Sequence, residues 1–257
     1  MTGRLRFDFT GVNVLVTGAS SGIGQGVATA FAQAGADLTI LSEVDAIHDA
    51  AAAMPGKVRA IRCDISDAAA VTEALAGIDR VDVLVNNAGL ERPTPLTGTN
   101  PDGDATFERI IAVNVTGTRN VTDALIGHIP DGGRIILTAS IWSRIGVAGF
   151  SAYVASKHAT LGLTRAWARE LGPRRITVNA VCPGWVRTGP AMNSLREMAQ
   201  ASGRTEAEIA AEIMAAQAID GLLEPADLAP LYLFLASQGA ADITGQAMHL
   251  DRGEVMA

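Results

Sequence analysis

Short runs of aliphatic and β-branched residues recur along the chain, and each is followed by a stretch with helical spacing. The first run is Val12 to Val16. A glycine-rich turn follows it, then a helical pattern as far as Ala34, and Gly35 suits the position just past a helix end. Leu38–Leu41, Lys57–Arg62, Val81–Val85, Arg134–Thr138, Ile176–Val181 and Gln246–Leu250 are predicted as further strands. Predicted helices cover Ala46–Met54, Asp67–Ala76, a long stretch over 104–128, Ser151–Leu171 and Pro225–Ala236. Residues 190–218 are helical but fall outside the strand rhythm, and 91–103, rich in Pro, Gly, Thr and Asn, read as a loop.

Strands that alternate with helices imply parallel crossovers. The strands are continuous Val/Ile/Leu runs, as expected when helices cover both faces of a sheet. The expectation is an α/β fold, a doubly wound parallel sheet of seven strands with helices on both faces, forming one domain over 1–257. Ligands of such sheets bind beyond the carboxyl ends of the strands, where strand order reverses.

Composition narrows the function. With 48% hydrophobic and 18% charged residues the chain is not intrinsically disordered. A net charge of −7 without Lys/Arg blocks argues against nucleic acid and anionic membranes as partners. Cys63 and Cys182 make no disulfide framework, and His48, His128, His158 and His249 are too scattered for a metal site. The stretch from Met1 to Gly11 has no apolar segment of signal-peptide type, and no run approaches membrane-spanning length, so a cytoplasmic location is expected.

Two motifs carry chemistry. Thr17 to Gly24, with Gly18, Gly22 and Gly24, follows the first strand and opens a helix. Such a turn brings backbone N–H groups and the positive helix end up to a pyrophosphate. Its spacing is G-x-x-x-G-x-G. The second motif is Tyr153 and Lys157, four apart on one predicted helix and therefore on one face. Lys157 is one of two lysines among 20 cationic side chains, so a compact ammonium is used where Arg is the habit. A free phenol, near pKa 10, is a poor base at neutral pH. An ammonium about 4 Å away stabilises the phenolate by about 4 kcal/mol at an effective dielectric of about 20, roughly 3 pK units, with desolvation opposing.

Thr17 to Gly24, Asn86-Asn87-Ala88-Gly89, Asn114, Ser140, Tyr153, Lys157 and Pro183-Gly184 occur in an order and spacing that resembles the short-chain dehydrogenases/reductases, over about residues 10 to 253. The resemblance implies a Rossmann-like fold and a nicotinamide dinucleotide held by Gly18, Ser20, Ser21, Gly22, Ile23 and Gly24. It implies that Asp64 and Ile65 contact adenine, and that Asn87, Ala88 and Gly89 line the adenine-ribose side. Pro183, Gly184, Val186 and Thr188 would flank the nicotinamide. Tyr153 would exchange the proton of a small-molecule alcohol or ketone substrate, and Lys157 would hold the ribose and lower the Tyr pKa. Ser140 would hydrogen-bond the substrate oxygen, and Asn114 would hold a water relaying protons to Lys157. A homotetramer or homodimer follows as an expectation, with Asp251-Arg252-Gly253 departing from the family's glycine pair near a region used in assembly.

Ser42 and Glu43 follow the second strand, and Ser21 stands where an NADP-selective cation usually stands. A 2′-phosphate beside Glu43 would be repelled, so NAD is expected over NADP, with Arg62 at the end of the third strand as the main counter-argument. Substrate-binding candidates are Ser140, Glu91, Trp142, Phe150, Trp185 and Met192, with Leu90, Arg92 and Ile141 nearby, and 190–220 resembles the family's helical lid. The expected activity is interconversion of a secondary alcohol (a polyol, sugar or cyclic/aromatic hydroxy compound) and its ketone. The competing readings are an NADPH-dependent 3-oxoacyl-type reductase and a non-catalytic dinucleotide sensor.

Overall fold

The computed structural model describes residues 6–97 and 103–256. The ends of the expected 1–257 domain and residues 98–102 of the expected loop lie outside them. The strands are β1 (Asn13–Thr17), β2 (Asp37–Ser42), β3 (Val58–Arg62), β4 (Val83–Asn86), β5 (Arg134–Thr138), β6 (Thr177–Pro183) and β7 (Ala247–Leu250). They pair in the order β3-β2-β1-β4-β5-β6-β7, parallel throughout. The order reverses between β1 and β4, which opens a crevice at their carboxyl ends.

Alternation along each strand feeds two apolar layers. Val14, Val16, Ile40, Val85, Ile136 and Val181 face one layer, with Phe31 of α1 (Gly22–Gln33), Ile47 of α2 (Ala46–Ala53) and Leu228 and Tyr232 of α9 (Pro225–Ala236). Leu15, Leu41, Leu84, Ile135, Leu137 and Val178 face the other, with Val71 of α3 (Ala68–Leu75), Leu125 of α5 (Thr118–Leu125) and Ala168 of α6 (Ser151–Leu171). Both faces of the central strands are therefore apolar, which is why the sequence shows runs rather than alternation. Each fully buried Leu, Ile or Phe contributes about 1.5–3 kcal/mol.

The expected single helix over 104–128 is divided. It begins as α4 (Gly103–Ile111), widens into a π-helical turn over Ala112–Gly117 and resumes as α5. Gly117 lies so close to Ile65 that a Cβ there would come within 2.6 Å of its side chain. The stretch 190–218 forms two helices, α7 (Gly189–Ser202) and α8 (Glu206–Ala215). Gly203, with φ at 67°, ends α7, and a Thr205/Glu208 capping box starts α8. Among the described residues no helix is long and apolar enough to cross a membrane, and no group of three or more His, Cys, Asp or Glu side chains is placed to hold a metal ion.

Gly24 is a packing position. A Cβ there would overlap the Gly18 carbonyl oxygen and the Asn87 amide, whereas Gly162 on exposed α6 has open space around it. Gly24→Ala is expected to lose about 1–3 kcal/mol of stability. Gly162→Ala is expected to gain about 0.5–1 kcal/mol. Urea denaturation of the two variants measures both, and equal effects would contradict this packing account.

Candidate active site

A cleft of about 530 Å³ runs along the carboxyl ends of the strands. Its floor at β1 is Gly18, Ser20, Ser21, Gly22 and Ile23. Gly18 has φ at 67°, and a Cβ there would approach Ala88 Cα to 2.7 Å. Ser21 caps α1 without a side-chain hydrogen bond, and the first turn of α1 holds no acidic residue. The N–H groups and positive end of α1 therefore face the cleft uncompensated, a cradle suited to a pyrophosphate. Asn87 ties the crevice together. Its Nδ2 donates to the carbonyls of Thr17 (3.1 Å) and Gly18 (3.3 Å), and its Oδ1 accepts from Thr138 Oγ1 at 3.1 Å. Gly24 does not line the cleft, contrary to its expected cofactor contact; it supports the turn from behind.

The far end is lined by Ser42, Glu43, Val44, Cys63, Asp64 and Ile65. Sequence reasoning had Glu43 without a neighbouring cation other than Arg62. The structure supplies Arg109 from α4, whose Nη2 lies 2.7 Å from Glu43 Oε2 and whose Nη1 lies 2.9 Å from Asp64 Oδ2. Arg62 donates Nε to the Glu43 carbonyl (3.0 Å) and pairs with Asp45 at 3.4 Å. Partial burial pushes the Asp64 carboxyl up, but hydrogen bonds from Ser66 and Arg109 outweigh it and hold the group below the ordinary carboxylate range. Nothing in the spacing of Arg109 pointed here, because α4 meets the end of β2 only through the tertiary fold, 66 residues along the chain from Glu43.

Ser140, Tyr153 and Lys157 converge at the middle of the cleft. Ser140 follows β5, and its Oγ accepts from Trp142 N at 3.1 Å, which leaves the hydroxyl proton available. Lys157 is buried; its Nζ donates to the Thr138 carbonyl at 2.7 Å and lies 5.5 Å from the centroid of the Tyr153 ring. The expected acidification of Tyr153 is not found. Burial pushes the phenol up, the charge of Glu91 pushes it further, and only the Ser140 hydrogen bond pulls it down. Burial likewise pushes Lys157 down to about 8, against the charge of Glu91. Desolvation outweighs the ammonium–phenol attraction that the sequence suggested.

Asn114 lies in the π-helical turn, outside the cleft lining. Its Oδ1 accepts from Leu90 N (2.7 Å), and its Nδ2 donates to Leu90 O (3.0 Å) and Ser156 Oγ (2.9 Å). The amide thus clamps the segment after β4, with both Nδ2 protons engaged and one lone pair of Oδ1 still open to a donor. Asn87, Ala88, Gly89, Pro183, Gly184, Val186 and Thr188 also line the cleft.

Trp142 and Trp185 form an apolar wall at the substrate end, with rings 6.1 Å apart. Phe150 does not reach the cleft: it is 4% exposed and packs behind Trp142, at 5.1 Å. Met192 also misses it, and its neighbours Pro190 and Ala191 take the lining position. Both failures share a cause, since an apolar residue looks the same in sequence whether it walls a cleft or backs that wall. Glu91 and Arg92 line the cleft, and Glu91 Oε1 accepts from Ser194 Oγ of α7 at 2.5 Å.

The fold and this cleft define an oxidoreductase class, one whose sheet carries a dinucleotide at its switch point. A family model described as enoyl-(acyl carrier protein) reductase matches residues 18–254. Oxidoreductase UcpA of Salmonella typhimurium is 34% identical over 257 residues, covering 96% of this chain and 95% of the relative. A solved short-chain glucose/ribitol dehydrogenase from Brucella melitensis superposes with a TM-score of 0.88 at 26% identity, covering 98% of this chain and 100% of that one. A structure from Beutenbergia cavernae, described as an NAD(P)-dependent gluconate 5-dehydrogenase with NADP bound at low occupancy, gives 0.82 at 35% identity, covering 97% and 99%. The chain belongs to the short-chain dehydrogenase/reductase family, which uses NAD(P).

The buried ammonium has a consequence for stability. Lys157 titrates near 8 when folded and near 10.5 when unfolded, so between those values the unfolded chain binds more protons and stability rises with pH. The stability of the ligand-free protein relative to Lys157→Met is expected to rise from pH 8 to 10.5, by an amount on the order of 3 kcal/mol. Chemical denaturation across that range measures it; a flat difference would remove the claim that burial controls this group.

Proposed function

We propose that the protein is an NAD(H)-dependent oxidoreductase that interconverts a secondary alcohol and its ketone, with Tyr153 as the acid/base group. The observation that carries this reading is the meeting of Ser140, Tyr153 and Lys157 between the α1 end of the cleft and the Trp142/Trp185 wall. Bound there, the dinucleotide supplies the two-electron redox chemistry. The chain's own residues do the rest. Ser140 Oγ, held by Trp142 N, donates its proton to the substrate oxygen. Tyr153 Oη gives or takes the proton at that same oxygen. Lys157 Nζ, anchored on the Thr138 carbonyl, keeps its other protons for a ribose hydroxyl, and its lowered pKa near 8 suits it to pass a proton onward at neutral pH. Asn114 keeps the Leu90 segment in place beside this group.

The reading favours NAD because Glu43, paired with Arg109, lines the far end of the cleft, where a carboxylate would accept from ribose hydroxyls. Polyhydroxylated compounds are favoured as substrates. The Trp142/Trp185 wall suits the apolar face of a sugar or cyclic polyol, and the Brucella neighbour is named for glucose and ribitol. The helices α7 and α8, over their own apolar cluster of Leu195, Ala199 and Ile209, would close the substrate end.

Steady-state kinetics with polyols, sugars and cyclic alcohols against both cofactors test the proposal. NADH formation is expected, with Tyr153→Phe losing roughly a thousandfold in kcat/KM while retaining NADH binding. Undiminished turnover by Tyr153→Phe would end the acid/base assignment. The kcat/KM for NAD is expected to exceed that for NADP by at least about tenfold. A preference for NADP would overturn the role given to Glu43 and support the 3-oxoacyl reductase reading instead.

A further inference from the structure

The neighbours named above divide on charge: glucose and ribitol are neutral, while gluconate is an anion. The substrate end of this cleft bears on that division. Its charged lining consists of Glu91, Arg92 and Lys157. Lys157 is anchored on the Thr138 carbonyl. Arg92 is exposed and turns Nη1 back onto the carbonyl of Glu91 at 2.8 Å. Each cation thus has one donor turned onto a backbone carbonyl of the chain itself. Glu91 is different: it is partly buried, it lines the cleft, and one of its oxygens is fixed by Ser194 Oγ of α7 at 2.5 Å. An ionised carboxylate is acceptor-only, with room for several donors on its two oxygens. A ligand meeting Glu91 therefore has to bring O–H or N–H groups.

We propose that Glu91 is the specificity-determining residue of the substrate pocket, accepting hydrogen bonds from hydroxyl groups of a neutral polyhydroxy substrate and rejecting substrates that carry a carboxylate near the reacting carbon. The inference rests on the alcohol/ketone reading above. Two further features support it. Glu91 lines the same cleft as Ser140, Tyr153 and Lys157, and its charge acts on the last two. Burial outweighs the Ser194 hydrogen bond and the charge of Lys157 and holds the Glu91 carboxyl above its ordinary range, as for a carboxylate short of partners. The bond to Ser194 also ties the segment after β4 to α7, so a hydroxylated ligand on Glu91 would be sensed by the helix over the pocket.

The test uses the full chain with D-glucose, ribitol and myo-inositol against D-gluconate and 3-hydroxybutyrate. In the wild type the best neutral compound is expected to exceed the best hydroxy acid by at least about a hundredfold in kcat/KM. Glu91→Gln keeps an acceptor for Ser194 and removes the charge. It is expected to shrink that ratio by at least about tenfold, chiefly by raising hydroxy-acid turnover. A binding readout accompanies the kinetics: with NADH present, the neutral compounds are expected to raise the melting temperature of the wild type and the hydroxy acids are not. This readout decides the matter if Glu91→Gln does not fold. Wild type that uses or binds hydroxy acids as well as polyols, or an unchanged ratio in Glu91→Gln, overturns the proposal. NADH formed from hydroxy acids alone sinks this inference and leaves the oxidoreductase reading standing; NADH from no compound in the panel sinks both.

Discussion

One hydrogen-bonded chain crosses the switch point of the sheet. The Thr17 carbonyl accepts a hydrogen bond from Asn87 Nδ2, Asn87 Oδ1 accepts one from Thr138 Oγ1, and the Thr138 carbonyl accepts one from Lys157 Nζ. Tyr232 of α9 joins from the other layer, its hydroxyl 2.8 Å from Thr138 Oγ1. The links span β1, the end of β4 and β5, the strands that must stay in register for the cleft to keep its shape. Each buried polar group is satisfied by the next, so removing one member strands its neighbours at a cost of about 1–3 kcal/mol. The glycine turn, the end of β5 and the buried Lys157 are all joined through this bridge.

Against that frame the electrostatics of Tyr153 and Lys157 are those of groups held ready under strain of solvation. Burial favours the neutral form of each, driving the phenol up and the ammonium down. In the ligand-free protein the phenol is thus a weaker acid than in water, and the ammonium is easier to discharge. A proton leaving Tyr153 needs compensation from whatever fills the cleft, and Ser140 supplies the one hydrogen bond that already leans that way. Placing Glu91 in the same space raises the phenol further. That opposes proton release from the ligand-free cleft, and under the proposed role of Glu91 a hydroxylated substrate on the carboxylate would relieve it.

The strand positions were legible because helices cover both faces, so each strand is an uninterrupted apolar run flanked by turn residues. The dinucleotide end was legible because glycine at Gly18 and Gly22 answers to backbone geometry, φ of 67° and 57°, that few other residues adopt. What escaped was whatever depends on docking angle. The π-helical turn inserts its extra residue into a pattern that reads as one helix, and it turns Asn114 onto Leu90 and Ser156. Arg109 reaches Glu43 from 66 residues away. Phe150 and Met192 carry the same apolar signature as Trp142 and Trp185, and only packing order separates wall from backing. The pKa order was missed for a related reason, since distance to a partner is readable from helical spacing but depth of burial is not.

At the adenosine end the charges are paired before any ligand arrives. Three carboxylates, Glu43, Asp45 and Asp64, meet two guanidiniums, Arg62 and Arg109, within ion-pair distance. A 2′-phosphate brings nearly two negative charges, so it would have to draw a guanidinium off a carboxylate and leave that carboxylate beside it. Ribose hydroxyls ask for nothing of the kind, because they donate to Glu43 while Arg109 stays where it is. The exposed setting keeps each pair weak, roughly 1 kcal/mol or less. The proposed preference for NAD therefore rests less on the strength of any one bridge than on the excess of negative charge left once all of them are counted.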